Sequence, residues 1–402
     1  MGKPEFLAAL EQGIALMRQQ GSPITLVHHN DADGLASAAV MQTALQRAGF
    51  SVNRIPLERV HPPIIERIHA QAPSTILYVD LGAKGAPAIS AVNRGRRLTL
   101  IVDHHHPEPP TDAQVIAMSS ESYGVSGDLD ISAATAAYLF ALLLDPQNRD
   151  LAYLGVVGAI GDSHERTGRL VGENREALQD AVEQGQVRIE ETDGREQYLL
   201  TKFQSDLPLK PFAKSLTTLG AAGYYMDGPA FGMTMCLEGP SPTTDAKFEE
   251  LNATRQAAYD RALQRLRQQG FRTTEHIQWF IVGDDFAPMG VKMIGEFCME
   301  IRDEGFVDPQ KYLVGFQTMA PEVPGLGTFD WSSYKVSMRV PSPLEQQIIV
   351  EKTMPGLAYL VPEAAKQVGG SIDACHDYAA ATVIDIGQEE ALITAMEDLI
   401  TT

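Results

Sequence analysis

Three short apolar runs, each ending abruptly on acids or histidines, constrain this chain more than any other feature. Ile24-Thr25-Leu26-Val27 leads into His28-His29-Asn30-Asp31-Ala32-Asp33-Gly34. Ile76-Leu77-Tyr78-Val79 ends at Asp80, and Leu98-Thr99-Leu100-Ile101-Val102 ends at Asp103-His104-His105-His106. Continuous runs of this kind suit strands buried on both faces, and the helix-like stretches between them, such as Gly34 to about Ala48, suit crossovers. The pattern predicts an α/β domain with a parallel sheet flanked by helices. Ligands of such sheets collect at the carboxyl ends of the strands, where these polar residues fall.

Ile131–Leu144 and Leu151–Ile160 are apolar stretches of small residues suited to packed helices, separated by Asp145-Pro146. Residues 185–245 hold several Gly and Pro and read as a helical or irregular connection. Phe248, Leu251, Ala258, Ala262 and Leu266 fall at helical spacing, with Arg255 interrupting the stripe, and predict an amphipathic helix ending near Gly270. A second α/β unit begins near 275, with strands over 277–282, 312–317, 334–340 and 379–386, helices over 290–302 and 357–368, and a C-terminal helix. The expected organisation is a catalytic domain over 1–190, a helical connector over 191–274 and a smaller α/β domain over 275–402, with the active-site cleft between the domains.

The chain has 402 residues, 44% hydrophobic and 21% charged, the composition of an ordinary globular protein. It has no uninterrupted apolar stretch of about 18 residues, which excludes a membrane partner by this signal. Its start lacks the charged head and apolar run of a secretory leader. Cys236, Cys298 and Cys375 form no CxxC pair, pointing to free thiols and a cytoplasmic location. The net charge of −20 repels long polyanions on average. It favours a small substrate or a short oligonucleotide in a local basic pocket, and part of the acid excess is explained if carboxylates surround divalent cations.

Each motif has an ordinary structural reading when taken singly. A DxDG turn occurs in calcium loops, but Leu35 and Ser37 occupy the next ligand positions here and exclude the EF-hand form. A histidine run can be a solvated loop, and Asp80 or Asp162 alone can be a turn residue. Together they place at least four aspartates and two histidines at strand ends or loops in one half of the chain. So many carboxylates repel one another unless cations join them. Oxygen and imidazole donors of this mixture suit hard or borderline divalent ions, and a metal pair sharing a bridging carboxylate can activate water against a phosphoryl group.

The ordered set HNDADG, VDLG, VDHHH and GAIGD resembles the four N-terminal motifs of the DHH phosphoesterase superfamily, in a form similar to archaeal-type RecJ-like exonucleases and nanoRNases. The resemblance implies two divalent ions, Mn²⁺ first and Mg²⁺ second. It assigns one ion to His29, Asp31 and Asp80, and the other to Asp33, Asp80, His104 and Asp162, with Asp80 bridging. It places His105 against the scissile phosphate and gives Asp103 the task of orienting its neighbour. His28 and His106 match no role, and His164 lies close enough to Asp162 in sequence to reach substrate, although an ordinary structural role is the commoner reading.

The C-terminal unit resembles the DHH-associated substrate-binding domain. Ser337 and Arg339 match its Ser-x-Arg strand, and Gly369, Gly370 and His376 match its glycine-rich loop, although Ser371–Cys375 separate the glycines from His376. The implied activity is metal-dependent hydrolysis of phosphodiester bonds in single-stranded or short oligonucleotides, releasing mononucleotides, with a homodimer as a candidate assembly. The alternatives are a small-molecule phosphohydrolase acting on pyrophosphate, 3′-phosphoadenosine-5′-phosphate or a cyclic dinucleotide, and a non-catalytic partner subunit of a replication or repair complex.

Overall fold

A computed structural model describes residues 2–203 and 206–401, with backbone only at 372–374. The chain forms two compact units, Met1–Glu249 with Pro324–Leu326 and Glu250–Val323 with Gly327–Thr402.

The first unit is built on five parallel strands, β1 (Ile24–His29), β2 (Val52–Leu57), β3 (Thr75–Val79), β4 (Thr99–Asp103) and β5 (Val115–Ser119), in the order β2-β1-β3-β4-β5. β3 and β4 are buried along their whole length, and β1 along all but its last residue, as continuous apolar runs demand. The edge strands are less visible in the sequence. β2 mixes exposed and half-buried residues and carries Pro56, which an edge strand tolerates.

Helices α1 (Lys3–Gln20), α2 (Ala32–Arg47), α3 (Pro62–Gln71), α4 (Ala86–Asn93), α5 (Ala133–Leu144) and α6 (Ala152–Gly161) surround the sheet. Right-handed crossovers put α2 on one face and α3 and α4 on the other. Accordingly α3 packs on α4, while α2 packs on α5 and α6. Burial of α2 is complete from Ala32 to Met41, so it is a central helix and not an amphipathic surface one. α5 begins at Ala133 because the Ser132 hydroxyl accepts from Thr135 N at 3.2 Å.

The stretch expected to be helical or irregular after residue 185 instead opens with a three-stranded antiparallel sheet, Val187–Thr192, Arg195–Leu200 and Leu207–Pro208. Its turn is Asp193-Gly194, both in the left-handed region (φ 53 and 73). That dipeptide between paired Thr192 and Arg195 is the two-residue hairpin signal, and its charged flanks mask it.

The second unit holds a six-stranded mixed sheet in the order Ser371–Cys375, Ala379–Asp385, Ser333–Arg339, Tyr312–Thr318, Ile277–Gly283, Arg272–Thr273. Alternation divides its strands. Val336, Met338 and Val340 enter a core with Leu360, Val361, Leu392 and Met396, leaving Ser337 and Arg339 on the opposite face, toward helix Lys292–Ile301. There Phe297 is fully buried among Tyr259, Phe280 and Phe286, at ring separations of 4.9, 5.8 and 5.4 Å. No helix among the described residues is long and apolar enough to cross a membrane.

Both tryptophans, Trp279 and Trp331, lie in the second unit, so their fluorescence reports its unfolding. Phe297→Ala is expected to destabilise that unit by about 3–5 kcal/mol through lost burial and a residual cavity. Urea denaturation followed at the tryptophans measures this, and a change below about 1 kcal/mol would mean the aromatic cluster collapses freely.

Candidate metal centre

The strand order reverses between β1 and β3, and the crevice at that switch point is where an open α/β sheet binds ligands. His29 ends β1 and Asp80 follows β3. The His29 Nδ1 lies 3.1 Å from Asp31 Oδ2 and 3.4 Å from Asp80 Oδ2. Asp31 caps α2, its Oδ1 accepting from Gly34 N at 3.0 Å, which turns Oδ2 toward His29. Only glycine fits at 34, where a Cβ would come within 2.4 Å of the His29 carbonyl oxygen. Asp80 sits at φ 59, a left-handed conformation rare outside glycine and a form of strain that gathers at functional sites.

The other Asp80 oxygen, Oδ1, lies 3.5 Å from His104 Nε2, which is also 3.4 Å from Asp162 Oδ2 and 3.9 Å from Asp33 Oδ2. One carboxylate thus faces two separate donor sets with its two oxygens. The His104 Nδ1 donates to the Gly127 carbonyl at 2.7 Å, fixing the tautomer that leaves a lone pair on Nε2. That nitrogen and Asp80 Oδ2 are buried and carry no hydrogen bond among the described residues. A buried polar atom without a partner is costly, and a cation completes both. The residues therefore fit a divalent metal pair, held by His29, Asp31 and Asp80 on one side and by Asp80, His104 and Asp162 on the other.

Asp33 is held differently. Its oxygens accept from Ala133 N (2.8 Å) and Ala134 N (2.9 Å) at the N-terminus of α5, where the helix dipole favours an anion. A Cβ on Gly158 would lie 2.0 Å from Asp33 Oδ1, so the carboxylate needs glycine on α6. Burial first, then Asp162 and Asp80, raise the Asp33 carboxyl well above its ordinary range. Burial alone would lower His104, but Asp80, Asp162 and Asp33 more than offset it and hold the imidazole well above its usual value.

Asp103 is buried and accepts from His104 N (2.8 Å), His105 Nδ1 (2.8 Å) and Ala83 N (2.9 Å). Burial would raise its carboxyl, but His105 and these donors hold it well below the usual range. The imidazole of His105 is in turn pushed down by burial and His104 and lifted more strongly by Asp103. Its side chain remains 43% exposed, with Nδ1 anchored and Nε2 free of that anchor. The hydrogen bond between Asp103 and His105 Nδ1 fixes one ring nitrogen of that imidazole.

Gly127, Ser119 and Asn174 escape sequence reasoning, and His164 is singled out there only by its place beside Asp162. A Cβ at 127 would lie 1.8 Å from the His104 carbonyl oxygen, and Ser119 Oγ donates to the His105 carbonyl at 2.6 Å. His164 is buried and brings a ring nitrogen within 4.8 Å of donor atoms of His104 and Asp162. Burial, then His104, pushes its pKa down to about 3. Only proximity to Asp162 hints at it. His28 is buried with Nδ1 2.6 Å from the His29 carbonyl oxygen, and His106 is 83% exposed beside Glu121.

In the second unit, Arg339 Nη1 donates to Ser337 Oγ (3.1 Å) and to the Met338 carbonyl (2.8 Å). Its Nε is buried without a partner among the described residues, and burial lowers its pKa. A Cβ on Gly295 would press within 2.9 Å of both Arg339 Nη2 and Ser337 Oγ. Gly369 and Gly370 end helix Leu357–Gln367. Gly369 takes φ 70 and Gly370 N donates to Ala365 O at 2.8 Å, a Schellman cap. The residues separating them from His376 form the edge strand Ser371–Cys375, and His376 lies in the turn after it, stacked near Tyr378 at 5.8 Å. The glycines and His376 are therefore separate features, one a helix cap and one a hairpin turn.

Residues 23–158 match the family described as DHH family, N-terminal domain. An uncharacterised protein of Methanocaldococcus jannaschii is 25% identical over 169 residues, covering 41% of this chain and 38% of that protein, so the chain spans well under half of that relative. The fold resembles RecJ of Thermus thermophilus solved with Mn²⁺ (TM-score 0.62, 16% identity, 98% of this chain and 55% of that one). It also resembles an exonuclease RecJ bound to manganese (TM-score 0.58, 17% identity, 98% and 94%) and CDC45 of Entamoeba histolytica (TM-score 0.59, 10% identity, 98% and 99%).

Metal and protons compete for this site, which sets a pH dependence. The folded-state pKa of His104 lies well above 6.5, so its contribution to the metal-free fold is complete below about 6.5 and is lost as pH rises through the folded pKa. Asp33, raised as well, acts in the same direction. The metal-free protein is expected to lose Tm as pH rises above about 6.5, and the increment given by Mn²⁺ to grow over the same interval. Thermal melts with and without Mn²⁺ check this. An increment that is flat or shrinks with pH would mean that the cations do not displace these protons.

Proposed function

We propose that this chain, a DHH-superfamily protein of RecJ-like fold, is a metal-dependent phosphoesterase that hydrolyses phosphodiester bonds of short single-stranded oligonucleotides and releases mononucleotides. The observation that carries the reading is the buried Asp80 carboxylate, whose two oxygens face separate sets of histidine and aspartate donors. A divalent pair, Mn²⁺ by preference and Mg²⁺ second, would acidify bound water and neutralise charge developing on a phosphoryl group.

The protein's own groups supply the rest. Asp103 favours the cationic form of His105 and fixes its ring, so that Nε2 can donate to a phosphoryl oxygen. The Arg339 guanidinium, pinned through Nη1 by Ser337 and the Met338 carbonyl, keeps donors for a phosphate. The net charge of −20 supports a short ligand gripped locally over a long polyanion.

The deciding assay offers Mn²⁺-loaded protein labelled oligonucleotides of several lengths beside pyrophosphate, 3′-phosphoadenosine-5′-phosphate and cyclic dinucleotides. Mononucleotides are expected from the short oligonucleotides, with no turnover in chelator. Asp80→Ala should lower turnover by roughly 10²-fold or more, the size of a lost group at a reacting centre. Turnover confined to pyrophosphate would move the substrate to the small-molecule class. No turnover of any substrate with both ions bound would leave a non-catalytic role.

Arg339 separates grip from chemistry. In Arg339→Ala, metal content should be unchanged and the KM for an oligonucleotide should rise about tenfold, while a minimal activated phosphodiester is affected less. Equal losses on both substrates would make Arg339 part of the structural frame.

A further inference from the structure

We propose that His164 is a fixed Nε2–H hydrogen-bond donor to an anionic phosphoryl oxygen at the metal centre, set in that tautomer by Asn174, and that it is not a metal ligand. The inference rests on the phosphoesterase reading for the identity of the anion, but the proton's position follows from the hydrogen bonds alone.

Asn174 can be oriented in only one way. Its Oδ1 accepts from the backbone N–H of Ser132 at 3.0 Å and from Thr135 Oγ1 at 2.7 Å. Its Nδ2 donates to the backbone carbonyl of Leu129 at 3.2 Å. A backbone N–H can only donate and a carbonyl can only accept, so neither contact survives an amide flip. The second Nδ2 hydrogen then points at His164 Nδ1, 2.8 Å away, and that nitrogen must accept. An imidazole accepting at Nδ1 carries its proton on Nε2.

The neighbouring histidines are set the opposite way. The Nδ1 of His104 donates to the Gly127 carbonyl, and the Nδ1 of His105 donates to Asp103. His104 thereby offers the lone pair that a metal needs. His164, beside it at a ring separation of 5.9 Å, offers a hydrogen. Its proximity to His104 and Asp162 resembles a ligand set, yet its Nδ1 is occupied and its Nε2 is protonated. An N–H fixed in place beside a cation centre complements an anionic oxygen and costs no reorganisation when that oxygen arrives.

The test combines a tautomer measurement with a binding measurement on the full chain loaded with Mg²⁺. Long-range ¹H–¹⁵N correlation spectra are expected to show His164 as the Nε2–H tautomer, with and without Mg²⁺. An Nδ1–H tautomer or an imidazolium would overturn the proposal. Inorganic phosphate is the probe for binding by calorimetry. His164→Phe should weaken it about tenfold at unchanged metal stoichiometry, and His164→Gln, which keeps an N–H, should recover most of the loss. Loss of a bound ion in His164→Phe would make the residue a ligand and sink the idea, as would phosphate affinity equal to wild type. Asn174→Asp gives an independent reading, since a carboxylate can only accept and should switch His164 to Nδ1–H. A spectrum unchanged by that substitution would refute Asn174's control. If the spectra and phosphate affinities come out as expected while no oligonucleotide is cleaved, the phosphoesterase reading fails and the donor assignment stands.

Discussion

Mutual repulsion among the carboxylates at the end of one sheet governs much of the first unit. Asp31, Asp33, Asp80 and Asp162 approach the same few groups, and Asp33 and Asp80 are almost wholly buried. The fold offsets this locally with fixed donors. The α2 terminus holds Asp31, and the N-terminal amides of α5 hold both oxygens of Asp33. Backbone donors are aimed in advance and cannot be neutralised, so they stabilise anions whatever the pH. The Asp80 side chain has no such backbone donor among the described residues. Its Oδ2 carries no hydrogen bond among the described residues, and its backbone is left-handed, a form of strain that gathers at functional sites.

Close approach of backbones follows from the same constraint. Bringing α5, α6 and the end of β1 with the start of α2 around one small volume leaves no room for side chains, and the glycines mark the contacts. Gly34 lies on the His29 carbonyl, Gly158 on Asp33, Gly161 on Ala32 and Gly127 on the His104 carbonyl. At Gly127 the backbone contributes twice, because its own carbonyl fixes the His104 tautomer. A side chain at any of these positions would push a ligand group away from the centre, although none of the four glycines can itself supply a side-chain ligand.

Much of this was legible in the sequence because the chemistry is local to strand ends. β1, β3 and β4 were visible as unbroken apolar runs, and the residue after each run was already at the carboxyl edge where ligands collect. The edge strands were not visible, since β2 mixes exposed polar residues with a proline. The hairpin at 187–200 was hidden although Asp193-Gly194 announces it, because charged residues crowd its strands around a few apolar ones, Val187, Ile189, Tyr198 and Leu200 among them. Gly127, Ser119 and Asn174 act through a backbone carbonyl, a hydroxyl and a side-chain amide at separations of 23, 14 and 10 residues from their partners. Hydrophobic period and motif spacing carry no information about such contacts. Gly369 and Gly370 suggested a ligand loop, but a glycine pair after an amphipathic helix is equally a helix stop, and the cap uses both.

Each of the two units keeps buried polar atoms that the chain itself does not satisfy. Asp80 Oδ2 and His104 Nε2 are among those of the first unit, and the Nε of Arg339 is among those of the second. Each such atom costs about 1–3 kcal/mol against a paired one, and a partner supplied from outside the chain removes that cost. Their chemistry says which ligands do so. An anionic and imidazole-rich set calls for cations, and a desolvated guanidinium calls for an oxyanion. Pairing of a carboxylate with an arginine would satisfy such groups from within the chain. That pairing does occur on this protein, at Arg47–Asp150 and Arg302–Glu345. It is absent at Asp80 and at Arg339 among the described residues, where Asp80 Oδ2 and Arg339 Nε carry no hydrogen bond.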